Sequence, residues 1–269
     1  MIPYAEVIGD PIAHSKSPLI HGFWLDQLGL PGEYRRKQVS ADELGDYFAS
    51  RCDDPAWRGC NITVPHKQAA LDHVPDPGSV RASIGAINTV FRDKAGGMIG
   101  TNTDAAGFWS PISALDLTGK PVTVIGAGGA ARAILFALAR VQVGPVTILN
   151  RTPLKAAGLL ATFGLKGDVQ PLSGPLSAAA LLVTASTLGM TGQPPLTLDL
   201  SPLPADAVVY DIVYAPLETP LLRAANKRGL DTIDGLEMLI GQAALAFELL
   251  FGAEPPRHRD DELRALLMA

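Results

Sequence analysis

Cysteine is almost missing from this chain, which has only Cys52 and Cys60 in 269 residues. Two thiols build no disulfide framework, and their spacing is not that of a zinc site. The expectation is a core-held fold without a metal, in the reducing cytoplasm. Basic charge is scarce as well. With 22 Lys and Arg against 27 Asp and Glu the net charge is −5, which excludes a general nucleic-acid binder and gives no attraction to an anionic membrane surface. Long apolar runs are also missing. The richest stretch, Leu236 to Phe251, is interrupted by Glu237, Gly241, Gln242 and Glu248, whereas a bilayer span needs about 20 apolar residues. The segment Met1 to Pro11 lacks the basic-then-apolar pattern of an export signal, so no export is expected. What is plentiful is apolar content. At 47% hydrophobic the chain can fill the core of one large or two ordinary domains, and disorder is excluded as its main state.

The charge is unevenly spread. Between Ala105 and Gly167 stand Lys120, Arg132, Arg140, Arg151, Lys155 and Lys166 against the single acid Asp116. That window carries +5 within a remainder of −10, a setting for an anionic ligand.

Strand-like and helix-like segments alternate throughout, and no repeat of 20–50 residues is present, so the chain reads as α/β. The first part gives strand Tyr4–Ile8, a helix from an N-cap Ser17 and N1 Pro18 to about Leu28, and strand Arg36–Val39. A capping box Ser40-Ala41-Asp42-Glu43 then opens a helix to about Ser50. Strand Gly59–Val64, a helix from His66, strand Ala86–Phe91, a Gly96-Gly97 hairpin and strand Met98–Thr101 follow, and the hairpin implies a mixed sheet. After a helix from Asp104 to about Leu115 the regime changes. Pro121–Ile125, Val146–Leu149, Leu181–Ala185 and Val208–Ile212 are apolar runs of the buried parallel type, interleaved with helices to Val141, over Pro153–Phe163 and over Thr219–Lys227. Strand Thr232–Ile233 and helices Leu236–Phe251 and Arg259–Met268 close the chain. The expected domains are 1–103, completed by the terminal helices 236–269, and 104–235.

Gly126-x-Gly128-x-x-Ala131 follows a strand and opens a helix inside a β-α-β unit of about 30 residues, the context of a dinucleotide-binding turn. At the end of the next strand an NAD site presents an acid to the ribose hydroxyl. Here Asn150-Arg151-Thr152 and Lys155 present cations and neutral donors, which suit a 2′-phosphate and point to NADP. In the first domain three polar clusters sit at strand ends: Ser15-Lys16-Ser17, Asn61 through Lys67, and Asn102-Thr103-Asp104, with Asn88 adding an amide. Reducing a ketone requires a proton for the oxygen as hydride reaches carbon. Lys67 oriented by Asp104 is a candidate acid, and an ordinary surface lysine with a helix-start acid is the other reading of the same two residues.

Gly9-Asp10-Pro11-Ile12-Ala13-His14-Ser15-Lys16-Ser17-Pro18, Asn61 to Lys67, Gly85-Ala86-Ile87-Asn88-Thr89, Asn102-Thr103-Asp104-Ala105-Ala106-Gly107, Gly126-Ala127-Gly128-Gly129-Ala130, Asn150-Arg151-Thr152, Asp234-Gly235 and Gly241-Gln242-Ala243-Ala244 occur in that order. Together they resemble the shikimate dehydrogenase family over nearly the whole chain. The resemblance implies an αβα substrate domain with a mixed sheet beside a Rossmann-like NADP-binding domain with a parallel sheet. It implies NADP-linked interconversion of 3-dehydroshikimate and shikimate, on the route to chorismate and the aromatic amino acids, with Lys67 and Asp104 as the catalytic pair. Ser15 and Ser17 would hold the substrate carboxylate, and Thr63, Asn88, Tyr214 and Gln242 would contact the rest of the substrate. Gly126, Gly128, Gly129, Ala130, Asn150, Arg151, Thr152, Lys155 and Gly235 would bind the cofactor. The chain departs from the family pattern in two places. His66 and Gln68 flank Lys67 where Phe and Glu are frequent, and Thr184 stands where Asn is usual; His66 either lines the cleft or caps the helix, and the cap is the favoured reading. A quinate/shikimate dehydrogenase and a catalytically silent NADP-binding regulator are the competing readings. Retention of Ser15, Ser17 and Arg151 speaks against the first, and the intact Lys67/Asp104 pair against the second. A monomer or homodimer acting on a small molecule is expected.

Overall fold

In the computed structural model, which describes residues 1–269, β1 (Tyr4–Gly9) is buried along its whole length. It lies between β2 (Glu33–Gln38) and β3 (Trp57–Ile62), parallel to both. β4 (Thr89–Arg92) and β5 (Met98–Thr101) complete a five-stranded sheet in the order β2-β1-β3-β4-β5, each antiparallel to the strand before it. The edge strand β2 is exposed at all residues except Tyr34. Its charges suit a strand that must not pair with another chain. α1 (Ser17–Leu28), α2 (Leu44–Cys52), the short α3 (Val80–Ser83) and the terminal α10 (Asp260–Met268) accompany this sheet. Residues 1–104 and 240–269 form one compact unit, and residues 105–239 a second.

The second unit carries six parallel strands in the order β11-β10-β9-β6-β7-β8. They are β6 (Val122–Ile125), β7 (Val146–Asn150), β8 (Gly167–Pro171), β9 (Leu181–Thr184), β10 (Val208–Asp211) and β11 (Asp231–Ile233). Read from β8, this is the doubly wound dinucleotide order, whose switch point lies between β6 and β9. α4 (Asp104–Trp109), α5 (Gly129–Arg140), α6 (Pro153–Ala156), α7 (Leu159–Thr162) and α8 (Pro220–Lys227) follow in chain order; α9 (Gly235–Phe251) belongs from Ile240 onward to the first unit, where Ala246 and Leu250 pack with Ala5, Val7 and Tyr34. Ile125, Leu149, Leu182, Val209, Leu221 and Leu222 pack in one buried cluster, each contributing about 1.5–3 kcal/mol by leaving water. No helix is long and apolar enough to cross a membrane.

Four local expectations give way. The helix expected from His66 is a run of turns leading to a 3₁₀ turn, Ala69–Asp72. The Lys67 carbonyl is already taken by the Ile87 N–H at 2.8 Å, so it does not continue an α-helical ladder. The helix expected over 153–163 breaks at Ala157-Gly158 into α6 and α7. β8 is an addition to the expected strands, because its mostly exposed residues alternate no apolar face. Ser17 is the first residue of α1 and not its cap: Lys16 holds the cap position, with no side-chain cap bond. At the next helix, Glu43 Oε2 accepts from Ser40 N and Oγ at 2.9 and 2.7 Å, and α2 starts after this closed turn.

One histidine is sealed in the first core. His21 of α1 stacks on Tyr34 with ring centroids 4.0 Å apart, and meets Trp24 and Phe247 at 5.7 and 5.8 Å. Neither ring nitrogen has a partner, and complete burial pushes the imidazole down to about 3. The unfolded chain, with a value near 6.5, therefore takes up the proton first, and stability is lost as pH falls from about 6.5 toward 3. Between pH 7 and 5 this histidine alone should cost about 2 kcal/mol. His21→Phe removes both the unpartnered nitrogens and the titration. Urea unfolding should show the variant gaining about 2 kcal/mol on the parent between pH 7 and pH 5, and parallel pH dependence of the two proteins would refute this account.

Candidate active site

Strand direction gathers the polar clusters at one end of the first sheet. β1, β3 and β5 run the same way, so the loops after Gly9, Ile62 and Thr101 emerge together, and antiparallel β4 begins where they end. Asn88, immediately before β4, thus joins Ser15, Ser17, Thr63, Lys67, Thr103 and Asp104. Open α/β sheets build their crevices at such carboxyl ends.

Lys67 Nζ lies 2.5 Å from Asp104 Oδ2, with side chains 14% and 5% exposed. The other carboxylate oxygen accepts from Asn88 Nδ2 at 2.8 Å. Asn88 is the hub of a buried network. Its Nδ2 also reaches Thr103 Oγ1 at 2.9 Å and Gln242 Oε1 at 3.2 Å, and its Oδ1 accepts from Thr103 N at 2.7 Å and from Thr89 Oγ1 at 3.1 Å. Asn61 Nδ2 donates to Thr89 Oγ1 at 2.9 Å, and Asn61 Oδ1 accepts from Tyr34 at 2.6 Å. The amide assigned by resemblance to the substrate therefore also orients Asp104. Thr89 and Tyr34 received no role from the sequence, since only the sheet brings them to Asn61, Thr89 by its direct pairing and Tyr34 from β2 across β1.

His66 is buried, and its Nε2 lies 2.7 Å from the Val39 carbonyl, to which it donates. It is thus a tether on the turn carrying Lys67 and not a helix cap. The Thr63 methyl packs so closely over Gly9 that a Cβ there would lie 2.6 Å from it. Ser15 and Ser17 are buried, with their hydroxyl oxygens 3.3 Å apart and Ser17 N donating to Ser15 Oγ at 3.3 Å. Arg36, which the sequence marks only as part of a strand, forks Nε and Nη2 onto the Ser15 carbonyl at 2.9 and 2.6 Å. The run Arg35-Arg36-Lys37 is the available signal, but it gains meaning only once β2 lies beside β1.

In the second unit the turn after β6 has the shape a diphosphate needs. Gly126 has φ +111°, and a Cβ there would lie 2.7 Å from the Ala185 carbonyl. Nothing lies within 4 Å of the place a Gly128 Cβ would take, and α5 opens at Gly129, followed by Ala130, without a side-chain cap. Open space over a bare helix N-terminus fits the pyrophosphate of a dinucleotide. At the end of β7, Asn150 Nδ2 closes the loop onto the Thr152 carbonyl at 2.8 Å. The exposed side chains of Arg151 and Lys155 make no bond within the protein, which fits an added phosphate.

Tyr214 is half-buried in the loop after β10. Asp211 braces that loop, accepting from Thr219 Oγ1 at 2.7 Å, from Val213 N at 3.1 Å and from Thr184 Oγ1. Burial raises the Asp211 carboxyl, and these three donors oppose the rise. The departure at Thr184 thus serves as a hydroxyl tie between strand ends. Gly235 starts α9 where a Cβ would lie 2.4 Å from the Ile212 carbonyl, so the close approach demands glycine.

Three family signatures match in order: the shikimate dehydrogenase substrate binding domain over residues 7–90, shikimate/quinate 5-dehydrogenase over 111–187, and the shikimate 5′-dehydrogenase C-terminal domain over 235–260. A protein of Sphingopyxis alaskensis named shikimate dehydrogenase (NADP(+)) is 70% identical over 267 residues, covering 99% of this chain and 97% of its own. The chain belongs to the shikimate dehydrogenase family. Among solved structures, the Thermus thermophilus shikimate 5-dehydrogenase in complex with NADP(H) and shikimate is 38% identical. It superposes with TM-score 0.85 over 99% of this chain and 100% of that one. A quinate dehydrogenase from Corynebacterium glutamicum in complex with NAD is 30% identical with TM-score 0.86, covering 98% and 99%. Within the family fold, the Asn88 hub is open to a direct test. Asn88→Ala leaves Thr103 N–H and Asp104 Oδ1 buried without these partners, and should cost about 2–3 kcal/mol of stability. Urea unfolding at pH 7 measures this, and an unchanged midpoint would remove Asn88 from the role.

Proposed function

We propose that this chain reversibly reduces 3-dehydroshikimate to shikimate with NADPH, a step toward chorismate and the aromatic amino acids. The observation that carries the reading is the Lys67–Asp104 pair, 2.5 Å apart and nearly sealed, set among neutral hydroxyls and amides. The full-length likeness to the Sphingopyxis alaskensis enzyme supports it.

NADPH, when bound, supplies the hydride. Lys67 gives its proton to the carbonyl oxygen as negative charge develops there, and takes it back in the reverse direction. Asp104 holds the ammonium in place and is itself held by Asn88. Ser15 and Ser17 take the substrate carboxylate, while Thr63, Asn88, Gln242 and Tyr214 pair with the ring's oxygens. A site that matches each hydroxyl with a short donor or acceptor rejects analogues lacking one more strongly than an apolar pocket does. The turn Gly126, Gly128, Gly129 and Ala130 holds the diphosphate, with Gly235 on the cofactor side. Asn150, Arg151, Thr152 and Lys155 hold the 2′-phosphate.

Lys67→Ala should lower kcat roughly 10²–10⁴-fold with a smaller change in KM for shikimate. Near-normal turnover would end its role as the acid. Arg151→Ala should raise KM for NADPH far more than for NADH, and an equal loss with both would contradict the 2′-phosphate assignment. Steady-state rates with shikimate and quinate, each with NADP and NAD, test the whole reading. Shikimate with NADP should be fastest. Quinate with NAD fastest would instead favour the activity named for the Corynebacterium glutamicum neighbour, and no turnover in any combination would indicate a regulator.

A further inference from the structure

The carboxylate subsite assigned above consists of two neutral hydroxyls, yet a cation is bonded to the backbone of one of the serines that carry them. β2 pairs in parallel with β1, placing Arg36 opposite Val7. Side chains two apart on a strand share a face, and Tyr34 on this face stacks against His21 of α1. Arg36 is therefore carried to the loop that opens α1, where Nε and Nη2 both close on the Ser15 carbonyl. Nη1 keeps no partner within the protein. The cations on either side are anchored at other points. Lys16 donates to the Leu267 carbonyl of α10, and Arg35 pairs with Glu33 at 2.5 Å and lies over the Tyr4 ring.

We propose that Arg36 is a positioning and specificity residue for the substrate: its fork fixes the Ser15 backbone, and its charge completes the carboxylate subsite of Ser15 and Ser17. The proposal rests on the reading of these serines as the carboxylate contact. A guanidinium bonded to the backbone of Ser15 brings positive charge to the residue that carries one of the two hydroxyls, so selection for an ionised acid comes from Arg36 and geometry from the serines. Because Arg36 keeps contact with solvent, its effect is moderate and falls with salt.

The test compares Arg36→Gln, Arg36→Lys and Ser17→Ala, with shikimate and its uncharged methyl ester as substrates. Arg36→Gln should raise KM for shikimate about tenfold at low ionic strength while kcat stays within about threefold and KM for NADP is unchanged. Arg36→Lys, which keeps the charge without the fork, should recover part of the loss for shikimate and none for the ester. KM for the methyl ester should rise clearly less than KM for shikimate in Arg36→Gln, because only the acid loses the charge as well as the fork, and the salt dependence of the parent's KM for shikimate should flatten in that variant. Equal increases for acid and ester mean that Arg36 is only scaffold, and overturn the proposal. A normal KM for shikimate in Arg36→Gln beside a raised one in Ser17→Ala overturns it and leaves the serine reading standing. A normal KM in Ser17→Ala removes the serine reading and the proposal together.

Discussion

A carboxylate taken out of water needs its charge answered, and the polar interior of the first unit is arranged around that requirement at Asp104. Its residue is 3% exposed, and the cost of burying an unpaired charge there is several kcal/mol. Lys67 answers one oxygen and Asn88 the other. Once the Asn88 amide is turned to donate to Asp104, its carbonyl must find donors, and Thr103 N–H and Thr89 supply them. Thr89 is in turn fixed by Asn61, and Asn61 by Tyr34. The chain of obligations runs from the reacting end of the sheet into the aromatic core, so orientation of the lysine is inherited from the packing beneath it.

This arrangement depends on the mixed direction of the sheet. Had β4 run parallel to β3, Asn88 would start at the opposite end from Lys67 and Asp104. The hairpin at Gly96-Gly97 then reverses the chain once more, so that β5 returns Thr103 and Asp104 to the end at which Asn88 starts. In the second unit uniform direction serves the opposite purpose. Six parallel strands leave all their carboxyl ends on one side, and the bare N-terminus of α5 offers backbone N–H groups where side chains would be in the way.

The buried parallel strands are legible from sequence because continuous apolar runs between breakers permit little else, and the turn at Gly126 because its glycines answer backbone needs. The edge strand β8 is not, having no apolar face to read. The Lys67 segment misleads for a different reason: His66 to His73 has nothing against a helix except that the Lys67 carbonyl is claimed by Ile87, a residue 20 positions away. Arg36 is invisible in the same way. A cation on an exposed strand looks like solubility until the neighbouring strand brings Ser15 within reach of its fork.

Two buried aspartates show how the chain separates chemistry from structure. Asp211 is answered only by neutral donors, Thr184, Thr219 and the Val213 N–H, and burial raises its carboxyl. At 1% exposure it is sealed, and its bonds tie the ends of β9 and β10 to the start of α8. Asp104 instead faces an ammonium whose side chain keeps 14% exposure, so the proton-bearing partner reaches outward while the carboxylate stays fixed. A buried acid paired with hydroxyls braces a loop. A buried acid paired with a lysine at the rim can hold a proton donor still, and in this fold only the second kind lies where the carboxyl ends of β1, β3 and β5 converge.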